Sequence, residues 1–121
     1  MSLARPARLA RDATVALAAL LCAVFVAWHV LRYSAATALL ACTLGVTPWL
    51  LLGPGLWRGE RQRHAAALLL VSPYLAYGLT EVLANPGARL YAGTTVLLAF
   101  GIAITALAFQ RLTQPPAEAP I

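Results

Sequence analysis

Charge is what this sequence has least of. Of its 121 residues only 9 are basic and 4 acidic, against roughly thirty charged side chains in an average soluble domain of this length. So few charges exclude an ordinary water-soluble fold, because a small domain has too little interior to hide helices that are apolar on every side. Lysine is absent, and the arginines stand in small groups between apolar runs. They never form a stripe interleaved with aromatics, so the net charge of +5 does not point to nucleic acid. Cysteine is scarce as well. Cys22 and Cys42 both fall inside apolar runs, which leaves neither a disulfide framework nor a spaced set of metal ligands. Missing too are a Gly-rich phosphate loop, a His-Glu-x-x-His pair, a Ser or Cys nucleophile beside a histidine, and two acidic residues able to share a metal. No enzymatic activity and no cofactor are expected. The first long apolar run has no carboxylate at its centre, unlike the small multidrug exporters, and the Gly-Arg pattern of small fluoride channels is lacking.

What is present is apolar length. The charges divide the chain into four long uncharged stretches, Ala13 to Leu31, Tyr33 to Trp57, His64 to Thr80 and Leu90 to Gln110. Each is close to the roughly 20 residues that cross a bilayer as a helix. A lipid-exposed backbone must satisfy its own hydrogen bonds, and no run alternates like a barrel strand, so helices are the only spanning elements available. The expectation is an all-α integral membrane four-helix bundle. Its spans lie at about 13–31, 35–52, 64–84 and 88–110, with a basic segment at 1–12 and a disordered tail at 112–121 rich in proline. Arg5, Arg8 and Arg11 ahead of the first run resemble the start of a signal peptide. That run is long for one, and a cut after Ala27 would place Phe25 where a small residue is needed. Cys22 follows Leu20 and Leu21 and so lacks the small residue expected before a lipid-modified cysteine. The first span is therefore expected to stay uncleaved.

Local signals place the connections. Only Arg32, Tyr33 and Ser34 separate spans one and two, so these form a tight hairpin with Ser34 as N-cap. Gly53-Pro54-Gly55 supplies a stop that should end span two near Leu52. Gly45 and Pro48 predict a kink within it, with Thr47 able to partner a freed carbonyl. Asn85 and Pro86 read as the cap and first turn of span four. The N-terminal segment, second loop and C-terminal end carry seven arginines, and the other two loops carry Arg32 and Arg89. This asymmetry puts both termini in the cytoplasm. Trp28, Tyr33 and Tyr91 then fall near the outer interface, and Trp49 and Trp57 near the inner one, as aromatic belts do. Close helix contacts are expected at Ala16, Ala19, Ala23 and Ala27 of span one, Ala38, Ala41 and Gly45 of span two, and Gly93, Gly101 and Thr105 of span four. The same pattern serves one bundle or a homodimer.

Span three alone carries an organised polar stripe: Tyr74, Tyr77, Gly78, Glu81 and Asn85 share one face. Glu81 is the sharpest candidate, since an ionisable group in a span marks an ion or substrate path by default. Its position near the outer end allows hydration or pairing instead. His29 and Arg32 lie at the same level, as does Arg89. A cluster of His29, Glu81 and Arg89, with Tyr74, Tyr77 and Asn85 alongside, is expected to lock helices together. His64 reads as a solvated boundary residue, and Cys22 and Cys42 as small apolar packing. The arginines of the second loop orient the chain, with anionic headgroups in reach.

One likeness adds to this. Pro54-Gly55-Leu56 with Arg58-Gly59 and Arg61, then Ser72-Pro73-Tyr74, Tyr77-Gly78, Glu81, Ala84-Asn85-Pro86 and Arg89, with Trp28-His29 closing span one, resembles a family of small predicted inner-membrane proteins of Gram-negative bacteria, catalogued as a domain of unknown function. The likeness covers about residues 10 to 111. The family reads His-Gly where this chain has Tyr77-Gly78. The resemblance implies a four-span inner-membrane protein and supplies neither a substrate nor an assigned site. The expected function is a structural or interaction role, as an accessory subunit, with lipid and either another membrane protein or a second copy as partner. The alternative is a small oligomeric channel or transporter with Glu81 near its outer mouth.

Overall fold

The structure is a computed structural model that describes residues 3–114. Four long helices follow one another: α1 (Arg5–Arg32), α2 (Ala35–Trp57), α3 (Arg61–Ala84) and α4 (Arg89–Leu112), with one 3₁₀ turn at Pro86–Ala88 before the last. All four are long and apolar enough to cross a membrane. Part of the expected tail, from residue 115 onward, lies outside the described residues.

Two helix boundaries differ from the sequence expectation. α1 begins at Arg5 rather than near Ala13, with Pro6 in its first turn, where a fixed φ and a missing N–H cost nothing. Ala7 and Ala10 pack there against Phe109, so tertiary contact carries the helix beyond its apolar run. At 28 residues it is about 42 Å long, enough to reach through both headgroup layers. α2 does not stop near Leu52 but continues through Gly53-Pro54-Gly55 to Trp57. A proline normally pushes the residue before it out of the helical region through a clash with that residue's Cβ. Gly53 has none. The stop comes at Gly59 instead, whose φ is +76°. The Gly59 N–H donates to the Leu56 carbonyl and the Glu60 N–H to the Gly55 carbonyl, the two bonds of a Schellman cap.

The expected hairpin forms. Ser34 caps α2 by accepting from the Thr37 N–H at 3.4 Å. Asn85 departs from expectation, since its side chain makes no capping bond and it terminates α3 instead. The N-cap of α4 is Ala88, without a side-chain bond.

Buried positions recur every seven residues. In α4 they are Ala92, Thr95, Ala99, Ile102, Ala106 and Phe109; in α3 they are His64, Ala67, Val71, Tyr74 and Gly78. This is the seam of near-antiparallel helices with knobs-into-holes packing. α4 packs along both α1 and α3, α2 packs along α1, and α2 meets α3 only sparsely. The bundle is closed on three sides and open along the α2–α3 seam.

The inward faces are not all the expected ones. Ala16, Ala19 and Ala23 point outward, while Ala18, Leu21, Phe25 and Trp28 of α1 fill the interior. Trp28 and Trp49, expected in interfacial belts, are core residues at 0% and 4% exposure, whereas Trp57 is exposed. In lipid, large rings gain dispersion contacts by packing against other rings, and small residues on the outside lose little because hydrocarbon is as apolar as leucine.

Three of the helix contacts carry a polar tie. The Thr14 hydroxyl of α1 lies 2.8 Å from that of Thr105 on α4. At the end that carries the α2–α3 loop Arg61 and Gln110 exchange bonds between α3 and α4: Gln110 Nε2 donates to the Arg61 carbonyl at 2.7 Å and Arg61 Nη2 to the Gln110 carbonyl at 3.2 Å. Across the open seam, the Tyr74 hydroxyl donates to the Gly45 carbonyl. Pro48 takes the helical donor from the Leu44 carbonyl and not from Gly45, and Thr47, expected to partner a freed carbonyl, points outward. Such bonds average only about 0.6 kcal/mol in a membrane bundle. They fix register more than they hold the bundle together.

Candidate functional site

The end of the bundle that carries the α1–α2 turn gathers aromatic and polar side chains from α1 and α3. His29, 2% exposed, has Nδ1 2.8 Å from the Phe25 carbonyl and Nε2 2.9 Å from the Tyr77 hydroxyl. A carbonyl only accepts, so Nδ1 carries the proton. Nε2 of the neutral ring then accepts from the Tyr77 O–H. Rings surround the pair: Tyr33 stacks on His29 at 5.2 Å, Trp28 stacks on Tyr77 at 5.1 Å, and Phe25 lies 4.2 Å from His29.

Of the six residues expected in one polar cluster, His29 and Tyr77 are joined and the others serve elsewhere. Tyr74 sits about one turn deeper, between Phe25 and Trp49, where it ties α2 to α3. Glu81 makes no ion pair with either His29 or Arg89; the ion pairs among the described residues involve Asp12 and Glu60. Arg89 turns its Nε onto the Val82 carbonyl at 2.9 Å. Val82 lies in the last turn of α3, where carbonyls have lost their intrahelical donors, so the guanidinium caps the helix instead of meeting the carboxylate. Asn85 closes α3 through its backbone N–H, which donates to the Glu81 carbonyl at 2.8 Å.

Beside the His29–Tyr77 pair the open seam widens into a cleft of about 500 Å³. Phe25 and His29 form its floor, Thr37, Leu44 and Pro48 are among the α2 residues of one wall, and Leu70, Pro73, Tyr74 and Tyr77 form the other. Its polar groups sit toward the α1–α2 turn and its other end is hydrocarbon. Among the described residues no charged side chain lines it.

The opposite end of the bundle, at the α2–α3 loop, holds a site the sequence reading missed. His64 is not a solvated boundary residue: it is fully buried and stacks on Phe109 at 3.8 Å with the rings 13° apart. Its Nδ1 donates to the Glu60 carbonyl at 2.9 Å. The seven-residue spacing from His64 to Val71 and Gly78 is the signal that would have placed it inside. Nearby, the Arg11 guanidinium lies 4.7 Å over the Trp57 ring, a cation–π contact between α1 and the second loop. Within the loop Glu60 accepts from Arg58 at 2.8 Å and pairs with Arg63 at 3.5 Å. The Arg58 hydrogen bond, helped by Arg63, holds the Glu60 carboxyl below the usual carboxylate range. Both cysteines are free and half-buried, and Cys22 packs against the core.

No curated protein and no solved structure matches the chain. A family model described as a predicted membrane protein (DUF2069) matches residues 13–114, a stretch that takes in all of spans two to four, most of span one and both polar ends. With four helices able to span a bilayer, this multi-pass membrane protein belongs to the DUF2069 family.

Proposed function

We propose that the chain is a non-catalytic accessory subunit of the bacterial inner membrane, with both termini on the cytoplasmic side, that docks another membrane protein through the outer face of α1 and α2. The observation that carries this reading is the outward turn of Ala16, Ala19 and Ala23. Small residues at this spacing let a second backbone come close, which is how helices associate without a water-driven force. The groove beside them on α2 has room as well: a side chain at Gly53 would meet nothing within 4 Å. The cluster at the outer end supports a structural use of the polar residues, since His29, Tyr77, Tyr74 and Arg89 all spend their hydrogen bonds inside the bundle.

The test is purification from native membranes in mild detergent, with mass spectrometry of what accompanies the chain. A single membrane protein at near-equal amount is the expected result, and Ala19→Leu is expected to lower its recovery about tenfold, which is a loss of about 1.4 kcal/mol. A pure homo-oligomer would defeat this reading in favour of a channel or transporter. Flux through reconstituted vesicles with and without Glu81→Gln would then be the measurement to make.

Orientation is tested separately. Seven arginines flank one end of the bundle and two the other, which favours cytoplasmic termini. A reporter active only in the periplasm is expected to stay silent when fused after Gln114 and to become active when fused after Ser34.

A further inference from the structure

We propose that the α2–α3 cleft is a binding site for an uncharged membrane lipid with a single hydrocarbon chain, its head at the outer end beside Tyr77 and Thr37. The proposal is independent of the docking face on α1, since the two lie on different surfaces of the bundle.

Size and shape suit a single chain. From Thr37 to Pro48 the α2 wall runs about 16 Å at 1.5 Å per residue. The cleft of about 500 Å³ is a groove along that wall, open to the surrounding lipid, and its volume falls within the range of pockets that hold small ligands.

Polarity fixes how the chain lies. The hydroxyls of Thr37 and Tyr77 stand at the outer end, while Leu44, Pro48, Leu70 and Pro73 make the inner end hydrocarbon. An amphiphile with its head at the interface and its tail toward the bilayer centre follows the same gradient. The Tyr77 proton is directed at His29 Nε2, which leaves the phenolic oxygen able to accept from a hydroxyl on the ligand. Thr37 can either donate or accept.

Charge fixes the class of head. A phosphate or carboxylate is ordinarily met by Arg or Lys, and neither lines the cleft. The nearest arginine on α1, Arg32, lies across the α3–α4 connection against Gly87, and Arg89 is engaged with the Val82 carbonyl. A hydroxyl-bearing, one-tailed lipid such as a monoacylglycerol satisfies the groups that are present.

The experiment uses the full chain in phosphatidylethanolamine and phosphatidylglycerol vesicles with a monoacylglycerol carrying a photoreactive diazirine at mid-chain. Labelling is expected to saturate, to map to residues 40–48 of α2 and 70–77 of α3, and to be competed by unlabelled monoacylglycerol. Leu44→Trp, which fills the cleft from a position already 67% exposed, is expected to lower it at least tenfold. Leu39→Trp, on the outer face of the same helix, leaves it unchanged. Thr37→Val and Tyr77→Phe each lower affinity about threefold to tenfold, the worth of one hydrogen bond. Labelling that never saturates, spreads evenly over the exposed faces, or ignores Leu44→Trp overturns the proposal. Equal competition by phosphatidylglycerol overturns it in favour of a charged two-tailed lipid.

Discussion

Replacing Gly78 with leucine is expected to destabilise the bundle by more than about 3 kcal/mol, beyond the usual cost of overpacking a core. Gly78 faces α4 where the two helices come closest. A Cβ there would stand 2.6 Å from Val96 Cγ2 and 3.2 Å from the Ala92 carbonyl oxygen. The valine could turn aside, but the carbonyl belongs to the α4 backbone and moves only if the helix does. Moving α4 also disturbs α1, because α4 packs along both neighbours. Gly78→Ala isolates the smaller effect: about 1–3 kcal/mol of overpacking, partly offset by about 1 kcal/mol of better helix propensity. Gly93 provides the control, since a Cβ on it meets nothing within 4 Å, and Gly93→Leu is expected to be neutral or to stabilise by up to about 1 kcal/mol through helix propensity. Reversible unfolding by denaturing detergent in mixed micelles reads all three. Equal behaviour of Gly78→Leu and Gly93→Leu would show that the α3–α4 spacing is not set at Gly78.

The second large effect is expected at Trp28. Its ring is fully buried, stacked 5.1 Å from Tyr77, edge-on to Phe25 at 6.1 Å and 4.7 Å from His29. Trp28→Ala removes the wall that holds the His29–Tyr77 pair in place and leaves a void among rings that cannot all close in on it. Such truncations cost about 3–5 kcal/mol. The corresponding loss for Leu83→Ala, at 79% exposure, is expected to be small, because lipid replaces the missing contacts. Trp28→Phe sharpens the test. The indole N–H finds no hydrogen-bond partner among the described residues, and an unpaired buried donor costs about 1–3 kcal/mol. Phenylalanine gives up ring area but removes that donor, so it is expected to cost less than half of what alanine does. Equal losses for the two would mean that the indole N–H is satisfied in the membrane and that ring area alone matters. Both variants are read by the same detergent titration, with near-UV circular dichroism reporting the aromatic cluster.

How much of this was legible beforehand depends on how far along the chain each signal reaches. The number of spans, their helical nature, the tight α1–α2 turn and the Ser34 cap follow from hydropathy, charge and one capping side chain. All of these act within a few residues. Gly53-Pro54-Gly55 reads as a stop on composition alone, yet the glycine before the proline removes the clash that would have ended α2 there. Charge and level alone make Glu81 and Arg89 partners. Arg89 instead satisfies carbonyls that exist only once α3 has ended, and no spacing rule weighs a helix end against a carboxylate. Tyr74 shares the stripe with Tyr77 but makes a different contact, because its hydroxyl reaches across the seam to the Gly45 carbonyl of α2 and not to His29 of α1.

By itself, then, the sequence determined that this chain lies in a bilayer as four helices, because crossing hydrocarbon demands uncharged length and internally bonded backbone. Only the tertiary structure decided which faces meet. In water an apolar stripe against a polar one announces the inside of a helix; in lipid both faces are apolar and the stripe disappears. What chooses the inside here is the fit of rings and small residues, Phe25 into the space at Gly45 and Val96 into the space at Gly78. That fit left the α2–α3 seam open and turned the alanines of α1 outward, because shape complementarity exists only between helices already side by side.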